Sequence, residues 1–158
     1  MRKKIASRII TIAGIAAITA LIVFMVFLQF EAARNNEFKR AFEKIVIDTN
    51  MLTQQYQAEE GKWLAKVYDN STMISIVDRY LPKYEEIIDR AKSVDTPERY
   101  EEARGYLVSA IDSEKESNKH FRNYLVTGHQ SEYDRSSELL TKSLADSVKA
   151  DAAIKGAG

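Results

Sequence analysis

Apolar residues follow two different rhythms along this chain. From residue 9 to residue 30 they are almost continuous (IITIAGIAAITALIVFMVFLQF), and no charge interrupts the 22 positions. After residue 30 they fall three and four apart, the spacing that keeps one face of an α-helix against its neighbours.

The first rhythm predicts a transmembrane helix. At helical rise the run is roughly 33 Å long, enough to cross the hydrocarbon core of a bilayer. Only a helix satisfies every backbone amide there from within a single segment. Arg2, Lys3, Lys4 and Arg8 precede it, and no acidic residue does. The positive-inside rule then makes residues 1–8 a short basic cytoplasmic segment and sends the rest of the chain outside the cytoplasm. A cleaved leader would want small residues after the apolar run. The sequence Glu31-Ala32-Ala33 places a carboxylate there, so the expectation is an uncleaved single-pass anchor in the cell membrane, with the lipid bilayer as the partner of residues 9–30.

The second rhythm predicts four helices. Phe38, Phe42, Ile45, Thr49, Leu52, Tyr56, Glu59 and Trp63 form one stripe. With no Pro or Gly between Gly14 and Gly61, the membrane helix should run on into residues 31–66. The turn-forming residues 68–72 (YDNST) come next, with Ser71 or Thr72 to cap a helix over 73–92 that carries Val77, Tyr80, Leu81, Tyr84, Ile87, Ile88 and Ala91 and kinks at Pro82. Residues 93–97 (SVDTP) mark a boundary. Thr96 suits the N-cap and Pro97 the first position of a helix over 97–127, which carries the stripe Tyr100, Ala103, Leu107, Ala110, Glu114, Ser117, Phe121 and Tyr124 and which Gly128 closes. The fourth helix, 131–154, should turn Tyr133, Ser137, Leu140, Leu144 and Val148 inward, leaving Lys142 off the stripe and a frayed tail at 155–158. The fold class is therefore all-α: a single N-terminal transmembrane helix continuing into an extracytoplasmic up-down-up-down four-helix bundle over residues 31–154. No alternating β-branched runs compete with it.

Charge and composition narrow the function. All 23 acidic residues follow residue 30, against 19 of the 23 basic ones, so residues 31–158 carry a net charge of −4. An acidic domain offers no basic face to nucleic acid. There is no Cys, which removes disulfides, thiolate catalysis and Cys-ligated zinc together. His120 and His129 have Glu116 and Glu132 near them in sequence but no second motif to complete a metal site. Serines abound without a Gly-x-Ser-x-Gly setting, and no Gly-rich phosphate loop occurs. No enzyme, cofactor or metal is expected.

Three groups of residues remain as candidate sites. Thr49, Glu114, Ser117 and Ser137, with Glu59, interrupt the apolar stripes and form a possible polar layer in the core, which fixes register or receives a small ligand. Tyr56, Trp63, Tyr68, Phe121, Tyr124 and Tyr133 should collect at the end of the bundle far from the membrane. There Trp63, Tyr68, Tyr133 and His129 offer a surface to a protein partner. Asn70-Ser71-Thr72 is an N-glycosylation sequon in an exposed turn.

The architecture so read resembles the membrane-anchored helical sensor modules of chemoreceptors. The resemblance is one of topology and departs from them in two respects. No apolar run after residue 30 is long enough for a second span, and the 8 residues before the first are too few for an output domain. A sensor of this kind needs a separate signalling chain. A structural or accessory subunit of a membrane or cell-surface complex needs none, and that is the first expectation.

Overall fold

The computed structural model describes the backbone of residues 2–157, and side chains at Met25 and from Leu28 to residue 157. The described residues form four long helices and one turn of 3-10 helix: α1 (Arg2–Leu64), α2 (Asn70–Ser93), the 3-10 turn Glu98–Tyr100, α3 (Glu101–Thr127) and α4 (Gln130–Gly156). The fold is all-helical, and there is no strand among the described residues. No helix among the described residues is long and apolar enough to cross a membrane. The expected span, residues 9–30, lies for the most part outside the described side chains. The chain divides into two compact units, Met1–Glu37 and Phe38–Gly158. The second unit is a bundle of α2, α3, α4 and the part of α1 from Phe38 onward.

Two apolar clusters fill this bundle and show how its helices alternate in direction. Phe38, Phe42, Ile45 and Leu52 of α1 meet Tyr84, Ile88 and Ala91 of α2, Tyr100, Leu107 and Ile111, and Ala150 of α4. Phe38 stacks on Tyr100 at 5.0 Å between ring centroids. Toward the other end, Tyr56 joins Met73, Ile76, Val77, Phe121 and Leu125, with Trp63, Tyr68 and Tyr124 packed around them. The α2–α3 connection therefore lies at the Tyr100 end, and the α1–α2 and α3–α4 connections lie at the Trp63 end. Each fully buried side chain of this size contributes about 1.5–3 kcal/mol relative to exposure.

The helix ends have local chemical causes. Lys66 takes a left-handed backbone (φ 59°) after α1. Its N–H bonds to the Trp63 carbonyl at 2.8 Å, and Val67 N–H reaches the Lys62 carbonyl at 2.9 Å, a Schellman closure made without glycine. The cap of α2 is Asp69, not Ser71 or Thr72: its side chain accepts from Thr72 N–H at 2.7 Å, and the helix starts three residues earlier than expected. Pro82 lies inside α2. Thr96 does not cap the third helix either. It is buried with its hydroxyl on the Val94 carbonyl, and Pro97 leads into the 3-10 turn before α3. Gly128 ends α3 as expected, at φ 70° with its N–H on the Tyr124 carbonyl. The fourth helix extends to Gly156, beyond the expected start of the frayed tail.

The face of α4 is the main correction. Its expected inner stripe points outward: Leu144 is 64% exposed, Val148 70%, and Ser137, Tyr133 and Leu140 are exposed as well. Ser143, Asp146 and Ala150 are the buried residues instead. The cause is the neighbouring helix. Ser109, Ser113 and Ser117 of α3 lie four apart and form a ladder of small hydroxyls toward α4. Asp146 accepts from Ser109 at 2.8 Å, Lys142 donates to both Ser109 (2.7 Å) and Ser113 (3.0 Å), and Ser117 donates to the Ser136 carbonyl at 2.7 Å. Small serines admit close approach, and the buried polar groups then need each other as partners. The side of α4 that carries Ser143, Asp146 and Ala150 packs, and the row of Leu140, Leu144 and Val148 is left in solvent.

Candidate functional site

The packing of α4 through Ser143, Asp146 and Ala150 leaves an open seam between α1 and α4. The seam is a groove of about 840 Å³ whose floor is α3. Leu107, Ala110, Ile111 and Glu114 make the floor. Phe42, Val46, Thr49 and Asn50 of α1 form one wall, and Ser143, Ser147, Ala150 and Ile154 of α4 form the other. The floor residues succeed one another at helical spacing, so Leu107 and Glu114 stand roughly 10 Å apart along the axis. Phe42, Leu107 and Ile154 line one end beneath a rim of Lys39, Glu43, Asp151 and Lys155, and Thr49, Asn50, Ser143 and Glu114 line the other.

Glu114 is the chemical centre of the latter end. It is 7% exposed, and its Oε1 accepts from the Thr53 hydroxyl at 2.7 Å and the Tyr84 hydroxyl at 2.8 Å. Burial raises its pKa above the ordinary glutamate value, and the two hydroxyl donors oppose that shift. The same burial pushes the phenols of Tyr84 and Tyr56 up, helped by the negative charge beside them. The Tyr56 hydroxyl is buried without a hydrogen-bond partner among the described residues.

The four residues expected to form a polar layer do not form one together. Glu114 does sit at its centre. Thr49 lines the groove, but its hydroxyl is turned back onto the Ile45 carbonyl of its own helix at 2.8 Å. Ser117 is buried one turn farther along, in the contact with α4. Ser137 is exposed, its hydroxyl on the Tyr133 carbonyl, because α4 is rotated away from the expected face. Sequence reading missed Thr53 and Tyr84, the two donors to Glu114. Thr53 was findable, since it follows Thr49 by one turn on the same helix. Tyr84 stands among ordinary apolar positions and reads as core.

The aromatic residues do collect at one end. Trp63 meets Phe121 edge-on at 5.2 Å, Phe121 lies 6.4 Å from Tyr124, and Tyr124 meets Tyr133 at 5.1 Å. Trp63 and Tyr68 are half-buried, Tyr133 is 39% exposed, and His129 is exposed at the start of α4. Asn70 is the first residue of α2 rather than part of a free turn. Its Oδ1 accepts from Trp63 Nε1 at 2.9 Å, and its Nδ2, the atom a glycan would join, donates to the Leu125 carbonyl at 3.3 Å. His120 Nδ1 lies 2.7 Å from Glu132 Oε2. No three His, Asp or Glu side chains among the described residues cluster closely enough to hold a metal ion.

Compared with protein-family models, with curated proteins and with solved structures, the chain matches none of them.

Proposed function

We propose that this protein is a membrane-tethered helical interaction module, a structural or accessory subunit of a membrane or cell-surface complex. Residues 9–30 anchor it in a single pass, the N-terminus is cytoplasmic and the bundle lies outside. The anchor reading rests on 22 uncharged residues behind a purely basic flank. The interaction reading rests on one observation: α4 packs through Ser143, Asp146 and Ala150 and exposes Leu140, Leu144 and Val148. These residues recur four apart, with Tyr133 and Ser137 continuing the row, so they present a seam of the kind that takes an amphipathic helix of a partner protein.

The test has two parts. A reporter active only outside the cytoplasm, fused after Gly158, should be active and stay with the membranes; a soluble product beginning near Asn35 would remove the anchor. A photo-crosslinker at Leu144 in native membranes should capture a protein that Leu144→Asp releases in mild-detergent purification. Capture of another copy of this chain would make the module a self-associating one. No adduct beyond that from a crosslinker at the polar position Lys142 would end the reading.

A second reading, an extracytoplasmic small-ligand sensor or binding domain working through a separate signalling chain, has the groove behind it. Its volume of about 840 Å³ is within the range of ligand pockets.

A further inference from the structure

We infer that the groove between α1 and α4 is a binding site for a small amphipathic amine, with the ammonium group at Glu114 and an apolar body lying along α3 toward Leu107. This inference rests on the ligand-binding reading and names its ligand class.

Three observations carry it. Glu114 is buried and held, among the described residues, by neutral donors, the hydroxyls of Thr53 and Tyr84. Burial and those two hydroxyls are the influences that act on its charge. A carboxylate out of water without a cation is costly, and an incoming ammonium would supply the missing charge. The second observation is the geometry. Leu107, Ala110 and Ile111 continue the floor from Glu114 for roughly 10 Å, so a charged head and an apolar body are accommodated in a fixed order. The third is the surrounding charge. Lys39 and Lys155 on the rim are matched by Glu43 and Asp151, and Lys155 is already paired with Asp151 at 2.6 Å. The sign of the groove is therefore set by its floor.

The test uses the full chain in lipid nanodiscs, with empty nanodiscs as the partition control, and three probes of one shape: 4-phenylbutylamine, 4-phenylbutanol and 4-phenylbutyrate. Calorimetric titration should give the amine an affinity about tenfold or more above the alcohol, with the acid weakest, as a charge-assisted contact requires. Glu114→Gln keeps the acceptor for Thr53 and Tyr84 and should bring the amine down to the alcohol's affinity. Ser147→Phe, filling the groove from its exposed wall, should weaken the amine without touching Glu114. Equal binding of amine and alcohol would overturn the amine assignment while leaving a ligand groove in place. Binding of none of the three would remove the ligand reading with it. The comparison on the unaltered chain is decisive even if Glu114→Gln does not fold.

Discussion

The hydroxyl of Tyr84 donates to Oε1 of Glu114 at 2.8 Å, joining α2 to α3 through a carboxyl group that water barely reaches. The bond is made in a setting that favours the protonated acid, since burial raises the Glu114 pKa. Asp146, on the other side of α3, is the reverse case. It is as deeply buried, but Lys142, Ser109 and Lys149 hold its carboxyl well below the ordinary aspartate range.

These opposite shifts give opposite pH dependences. The folded state keeps the Glu114 proton in a window above the ordinary glutamate value where the unfolded chain has lost it. Stability therefore falls as pH rises through that window and remains lower above it. Glu114→Gln removes the titration and retains the acceptor. Thermal melts should place the variant above the parent at pH 7–8, with the gap closing toward pH 4. A gap that widens on acidification would show that the carboxylate form is the favoured one.

Asp146 contributes stability that is present above the ordinary aspartate pKa of 3.8 and lost as pH falls through the depressed one. At pH 7, Asp146→Asn should cost about 1.5–3 kcal/mol, the range for a hydrogen bond to a charged group. The half-exposed ammonium of Lys142 is screened by solvent, which holds the loss toward the lower part of that range. Lys142→Ala should give a smaller loss, coupled to the first in a double-mutant cycle on denaturant unfolding. Additive losses would mean that the two side chains act separately.

The same substitution on two helices separates core from surface. Leu107 is 5% exposed and Leu144 is 64% exposed. Leu107→Ala should cost about 2–5 kcal/mol, and Leu144→Ala should stay within about 0.5 kcal/mol. Comparable losses at both sites would place Leu144 in the core, as its position in the sequence pattern suggests.

Lys66 closes α1 from a left-handed conformation that favours glycine. Lys66→Gly should raise stability by about 0.5–1 kcal/mol, the balance of relieved strain against a more flexible unfolded chain. A lower melting temperature would show that the lysine side chain makes a contribution larger than the strain.

Much of this bundle was legible because its first three helices bury the residues that their spacing selects: Phe38, Phe42, Ile45, Leu52, Tyr84, Ile88, Leu107 and Phe121 are all core. Glu114 was found by the same reasoning, as a charge on an inward position. The fourth helix failed because spacing weighs only apolar burial. A stripe of Leu140, Leu144 and Val148 is the stronger hydrophobic signal, but it says nothing of the hydroxyl ladder on α3 that competes for the contact. Ser109, Ser113 and Ser117 were visible as a four-residue repeat, and their partners Lys142 and Asp146 belong to a helix far away in sequence. The groove arose from that reversal and was illegible for the same reason.

The reversal of α4 also separates two kinds of constraint on one segment. Positions 136, 143, 146 and 150 answer to the bundle, and a change at any of them is felt by the fold. Positions 140, 144 and 148 answer to whatever meets the outer side, and they are free to vary as long as that encounter does not matter. Among related chains, co-variation of the first set should track α3, and co-variation of the second should track a different molecule. Reading which of the two sets drifts faster would reveal, without any binding assay, whether the outside of α4 is under selection at all.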